Sequence, residues 1–153
     1  MLLTGDYHTH TVYSHGKGTV LENAMQAKAL GLKEIAITDH GFEQLAFGIK
    51  HKKMPSLIRD VKEATEKTGV QVYVGIEANL CGENGRTDLK SEDYKDFDVF
   101  LMGIHRFVKF NNFKSWYNLF WSNYIHTALP VKPPKKLVDY NTRAYINAIE
   151  KYP

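Results

Sequence analysis

The 153-residue chain is long enough for one domain with a sizeable core, and 43% hydrophobic with 24% charged residues excludes general disorder. A formal charge of +3 is too small to argue for nucleic acid on its own but suits a small anionic substrate. The single cysteine, Cys81, excludes an intrachain disulfide and favours a reducing compartment; with no leader pattern over Met1–Asp6 and no membrane-length apolar run, the chain reads as soluble and cytoplasmic.

Strands and helices alternate along the sequence. Gly5–His8 reads as a short first strand. Thr19–Leu30 reads as a helix, opened by a capping box of Thr19 and Glu22 and closed by Gly31. Glu34–Thr38 is an apolar strand. Pro55–Lys67 is a second helix, with Pro55 in its first turn and Gly69 after it. Val70–Ala78 is the third strand, and Asn84-Gly85 is a tight-turn signal joining Glu77–Cys81 to Arg86–Leu89 as a hairpin. Phe97–Ile104 is a continuous apolar run, the pattern of a strand buried on both faces. An aromatic helix over Phe113–Tyr124, a stiff Pro130–Pro134 linker and a last helix over Lys136–Ile149 complete the chain. This order predicts an α/β fold with a parallel sheet. Four core strands are few for a closed barrel, and after the last helix the pattern predicts another strand, so the ending at Lys151-Tyr152-Pro153 reads as premature.

Seven histidines are present, and their placement carries more than their number. His8 and His10 stand two apart at the end of the first strand, where extended backbone points alternate residues to one side. His15 follows in a Ser-His-Gly turn. His40 follows the second strand, Glu77 ends the third, and His105 ends the fourth. In a parallel sheet the C-terminal strand ends share one edge, so imidazoles and a carboxylate from four strands converge there. Those donors suit zinc, iron or manganese. His51, in the basic run Lys50–Lys53, and His126 end no strand and read as ordinary histidines.

The segments His8-Thr9-His10-Thr11, Ser14-His15, Thr38-Asp39-His40, Gly75-Ile76-Glu77-Ala78 and Gly103-Ile104-His105 resemble, in order and spacing, successive motifs of the PHP (polymerase and histidinol phosphatase) family. The resemblance implies a single PHP-like domain over residues 1–153. Its fold is then part of a distorted seven-stranded (β/α) barrel of the TIM-like kind, cut after about four βα units. It also implies divalent metal ions, up to three in the complete family site. By resemblance, His8 and His10 hold the first ion with Glu77, Glu77 bridges to a second that His105 also binds, and His15 and His40 hold the third. The gap from His10 to His15 is one residue shorter than in some members. The family's further strand-end histidine and late Asp-x-His pair do not occur before Pro153, so each ion lacks one ligand.

The activity implied is hydrolysis of a small phosphate monoester, in the manner of histidinol phosphatase, by a metal-bound hydroxide held by His8, His10, Glu77 and His105. A nuclease or proofreading phosphodiesterase, hinted at by Lys50–Lys53, and a truncated fragment that mainly self-associates are the alternatives. On the last reading, an extended chain is the more active one. Arg106 and Lys17 suit either a substrate phosphate or plain surface. Asp39 suits either a carboxylate behind a metal-bound histidine or a turn cap. Cys81 reads as structural. Phe113, Trp116, Tyr117, Phe120, Trp121 and Tyr124 fall on one helical face, for which core packing is the favoured reading and a lid or a contact between copies the other.

Overall fold

The computed structural model describes residues 3–152; Met1, Leu2 and Pro153, which entered the reading of the two ends, lie outside the described residues. Strands β1 (Gly5–Thr9), β2 (Glu34–Ile37), β3 (Gln71–Asn79) and β4 (Val99–Gly103) form a four-stranded sheet in the order β1-β2-β3-β4. β1 pairs with β2 and β2 with β3, both in parallel. Parallel neighbours need a crossover, and the helices α1 (Val20–Ala29) and α2 (Met54–Thr68) supply the first two. The fold is therefore α/β and repeats the βα unit, as the alternating pattern predicts.

Local chemistry sets the element ends. Thr19 caps α1 through its side chain, Glu22 reaches back to the cap, and both halves of the capping box are present. Gly69 follows α2 at φ 73°, a left-handed conformation that favours glycine. The expected hairpin forms around Asn84-Gly85: Leu80 bridges Thr87 in antiparallel sense, and Cys81 N–H donates to Arg86 O at 2.7 Å.

The chain divides into two compact units. The first holds the chain up to Phe42, Ala46–Ala78 and Leu89–Leu101. Its core is mainly aliphatic, with Ile35 and Ile37 of β2, Ile76 of β3 and Leu57 of α2 fully buried. Each such side chain contributes roughly 1.5–3 kcal/mol of hydrophobic stabilisation. The second unit holds Glu43–Leu45, Asn79–Asp88 and the chain from Met102 onward. Its core is Leu80, Leu119, Tyr140, Ala144 and Ala148, the last three from helix α5 (Lys135–Lys151). Among the described residues, no helix is long and apolar enough to cross a membrane.

Two sequence expectations fail. β4 is not buried on both faces: Phe100 is 42% exposed and its neighbours only half-buried. β4 ends the sheet order, and a strand in that place has a sheet neighbour on one side only. The aromatic segment is not a core helix either. It runs as a short α-turn α3 (Phe113–Ser115), a π-helix (Trp116–Ser122) and α4 (Asn123–Ala128). The i→i+5 bonding of the π-helix breaks the period that puts the six rings on one stripe. Trp116 accordingly stacks on Trp121, five residues on, and only Leu119 within the π-helix is buried, while Phe113 is 75% exposed.

Candidate metal centre

Glu77 is the focus of the first unit's polar cluster. It lies within β3, two residues before that strand's end, in a run of buried residues. Pairing between β2 and β3 continues beyond Ile37: Glu77 N–H donates to Asp39 O at 3.1 Å, and Gly41 N–H donates to Glu77 O at 3.0 Å. That continuation sets His40 directly beside Glu77 as a parallel bridge. The β1–β2 register shifts between Asp6 and Thr9, and His10 follows at once.

The side chains meet accordingly. Glu77 Oε2 lies 3.4 Å from His8 Nε2, 3.5 Å from His10 Nε2 and 3.2 Å from His40 Nδ1. The His10 ring is stacked on His40 at 4.7 Å, and His15 stands 4.6 Å from His10 and 4.9 Å from His40. Two sets of donors follow, His8–His10–Glu77 and His10–His15–His40, with the donor atoms of each within 4.8 Å of one another. The structure therefore brings together five of the sequence's expected ligands and makes His10 common to both sets.

This donor set fits a divalent cation. Four imidazoles and one carboxylate are a soft-to-intermediate ligand field. His10 Nδ1 is buried and makes no hydrogen bond among the described residues, its nearest carboxylate oxygen being Asp39 Oδ1 at 4.0 Å. A polar atom in that condition is destabilising unless something outside the chain satisfies it. Burial also pushes the His10 pKa down, outweighing the pull of Glu77 and Asp39, so the ring is held in the neutral form that ligates.

Asp39 serves the loop between His10 and His15. Buried, it accepts hydrogen bonds from Thr11 N–H at 2.7 Å, Thr11 Oγ1 at 2.6 Å and Ser14 Oγ. Gly16 completes the loop. A Cβ there would stand 2.4 Å from His10 O, closer than any side chain tolerates. Tyr13 ties the same loop to α2 by donating to Asp60 at 2.8 Å, and burial together with that bond pushes its phenol pKa up to about 12. The sequence reading missed Thr11, Ser14 and Phe47. The Phe47 ring lies 5.2 Å from His15 and 5.0 Å from His40 and walls that side of the cluster. Thr11 had a signal in its place directly after His10; Phe47 had none.

The remaining expected residues lie elsewhere. Lys17 is exposed on the loop before α1 and makes no ion pair among the described residues. In the second unit, His105 follows β4, its Nδ1 2.8 Å from Asn79 Oδ1. Arg106 lays its guanidinium over the Tyr124 ring at 4.6 Å. Cys81 is fully buried, and burial pushes its thiol pKa up, which suits a structural role. His51 stacks on Phe42 at 3.7 Å, and His126 faces Val131 O at 3.2 Å.

Comparison with known proteins places this arrangement. Residues 6–146 match the PHP domain. The chain belongs to the PHP domain family. A probable phosphatase of Caldanaerobacter subterraneus subsp. tengcongensis is 33% identical over 146 residues, 95% of this PHP chain and 47% of the relative. A probable phosphatase of Thermoanaerobacter sp. is 35% identical over 112 residues, 69% of this chain and 42% of that one. Among solved structures, the "putative histidinol phosphatase" of Listeria monocytogenes superposes with a TM-score of 0.52 at 19% identity, over 64% of this chain and 43% of its own. That likeness shows a shared PHP fold. The chain spans about half the length of the curated relatives it matches.

Proposed function

We propose that this PHP domain chain is a metal-dependent hydrolase of small phosphate monoesters. The observation that carries the reading is the convergence of His8, His10, His15, His40 and Glu77 in two overlapping donor sets. The relatives named as probable phosphatases support the reaction class. His8, His10 and Glu77 would hold one divalent ion, zinc, manganese or iron, and His10, His15 and His40 another; the family resemblance adds His105. Such ions, when bound, lower the pKa of a water and neutralise phosphoryl charge.

The chain's own residues prepare the site for that chemistry. Glu77 offers one oxygen to three imidazoles, so it balances their field and keeps their rings convergent. Asp39 holds the His10–His15 loop closed without entering the donor sets. His8 is exposed while Glu77 and His40 are buried, so a substrate phosphate approaches from the His8 side. Phe47 packs its ring against both His15 and His40.

The test is metal content by mass spectrometry with turnover of a generic aryl phosphate, on the same sample. The double substitution of His8→Ala and His10→Ala is expected to remove bound metal and lower turnover by about 100-fold or more. Full metal content and turnover in the double variant would overturn the assignment.

A further inference from the structure

The second unit carries a chain of polar contacts that determines which nitrogen of His105 bears its proton. Asn79 is fully buried at the end of β3, and Asp88 is buried on the returning arm of the hairpin. Asp88 is anchored at both oxygens: Oδ1 accepts from Asn79 N–H at 2.7 Å, and Oδ2 accepts from Glu43 N–H at 3.0 Å. Oδ2 also accepts from Asn79 Nδ2 at 2.5 Å.

That last contact fixes the Asn79 amide. Turned the other way, the amide would press its oxygen against a carboxylate oxygen already filled by N–H donors. With Nδ2 committed to Asp88, the opposite atom, Oδ1, faces His105 Nδ1 at 2.8 Å. An amide oxygen accepts and never donates, so Nδ1 must carry the hydrogen. In the neutral form of the ring, which has one N–H and one lone pair, the lone pair then stands on Nε2.

Gly103 fixes the ring's position. A Cβ at that residue would lie 2.4 Å from His105 Cε1 and 2.6 Å from Nε2, so the ring occupies the space a side chain would take. The absence of a side chain at Gly103 and the Asn79 bond together define both place and tautomer.

We propose that Asn79, oriented by Asp88, is a positioning residue that holds His105 in the Nδ1–H tautomer and so presents Nε2 as the ligating nitrogen. Free imidazole side chains favour the opposite tautomer, with hydrogen on Nε2, so this is a state the fold imposes. The use of that nitrogen for a cation rests on the function proposed above; the tautomer does not.

The experiment is a long-range proton–nitrogen correlation spectrum of the full ¹⁵N-labelled chain at neutral pH, with metal removed by chelation. His105 is expected to show a protonated Nδ1. An unprotonated Nδ1 in the unsubstituted chain overturns the proposal with no variant needed. Asn79→Ala is expected to return His105 to a mixture weighted to Nε2–H, with the dispersed backbone amide spectrum of the first unit unchanged as the sign that the chain is folded. Persistence of pure Nδ1–H in that variant also overturns it. Competition titration with zinc or manganese separates the two readings: about 10–100-fold weaker binding in Asn79→Ala supports both. A tautomer change with unaltered affinity keeps Asn79 as the residue that sets the tautomer and overturns the use of Nε2 as a ligating nitrogen.

Discussion

A half-buried histidine with one buried ring nitrogen that no hydrogen bond reaches resists protonation, and among the described residues His10, through its Nδ1, is in that position. Because its pKa lies below the ordinary 6.5, the unfolded chain binds more protons here than the folded one at mildly acid pH. The stability this residue contributes is complete above 6.5 and is lost as pH falls through 6.5 towards the lowered folded value. An NMR titration of the metal-free chain should therefore place the His10 midpoint below 6.5, with unfolding free energy decreasing on acidification across the same window. A midpoint at or above 6.5 would contradict the burial argument. Gly16 makes the matching steric case. A methyl group there meets the carbonyl of His10 and the amide of Thr11 within 2.4–2.6 Å, and those are backbone atoms with little freedom to move. Gly16→Ala should destabilise the chain by about 1–3 kcal/mol in urea denaturation and weaken metal binding at His10 and His15 together. Wild-type stability in that variant would show that the loop yields.

Between residues and the whole chain stand the β-segments and the loops they launch. The loop from β1 to α1 depends on Asp39, which comes from the end of another strand and satisfies three donors at once. Asp39→Ala strands the buried Thr11 N–H, and a hydrogen bond to a charged group contributes roughly 1.5–3 kcal/mol. The expected loss is about 2–3 kcal/mol of stability, with weaker cation binding at the His10–His15–His40 set, read by denaturation and by competition titration. A change within about 0.5 kcal/mol would mean that Asp39 only caps a turn. The sequence revealed the histidines of this loop because imidazoles at strand ends have a chemical signature. It left Asp39 ambiguous, because an aspartate capping its own turn and one holding a remote loop look alike until the strands are paired. The same holds for Asn79, whose value lies in contacts to Asp88 and His105, nine and twenty-six residues away. Capping boxes and turn glycines, by contrast, act within a few residues, and so Thr19, Glu22 and Gly69 were legible from the start.

At the scale of the whole chain, solvent meets more apolar surface than the sequence pattern suggested. Periodicity alone put the aromatic rings of residues 113–124 on one buried stripe, because a π-helical stretch leaves no mark in a count of threes and fours. In the structure the rings form a connected series instead: Phe113 on Trp116, Trp116 on Trp121, and Trp121 beside Tyr124. Phe107 joins through Phe120 from a left-handed backbone at φ 58°, and it is 60% exposed. Contiguous exposed rings of this kind are uncommon on monomeric proteins, where they mark contact surfaces. β1 adds a second feature, since it ends the sheet order and its central residues are exposed. The expected outcome is reversible self-association. Light scattering should give a mass that rises above 17.5 kDa with concentration. Phe113→Ser with Trp121→Ser should lower that rise while leaving metal content unchanged, because neither ring belongs to a donor set. If the rise survives the double substitution, the edge of β1 is the better site, and a charged residue at Tyr7 should suppress it. A constant monomer mass at every concentration would show that the exposed rings are solvated without a partner of their own kind.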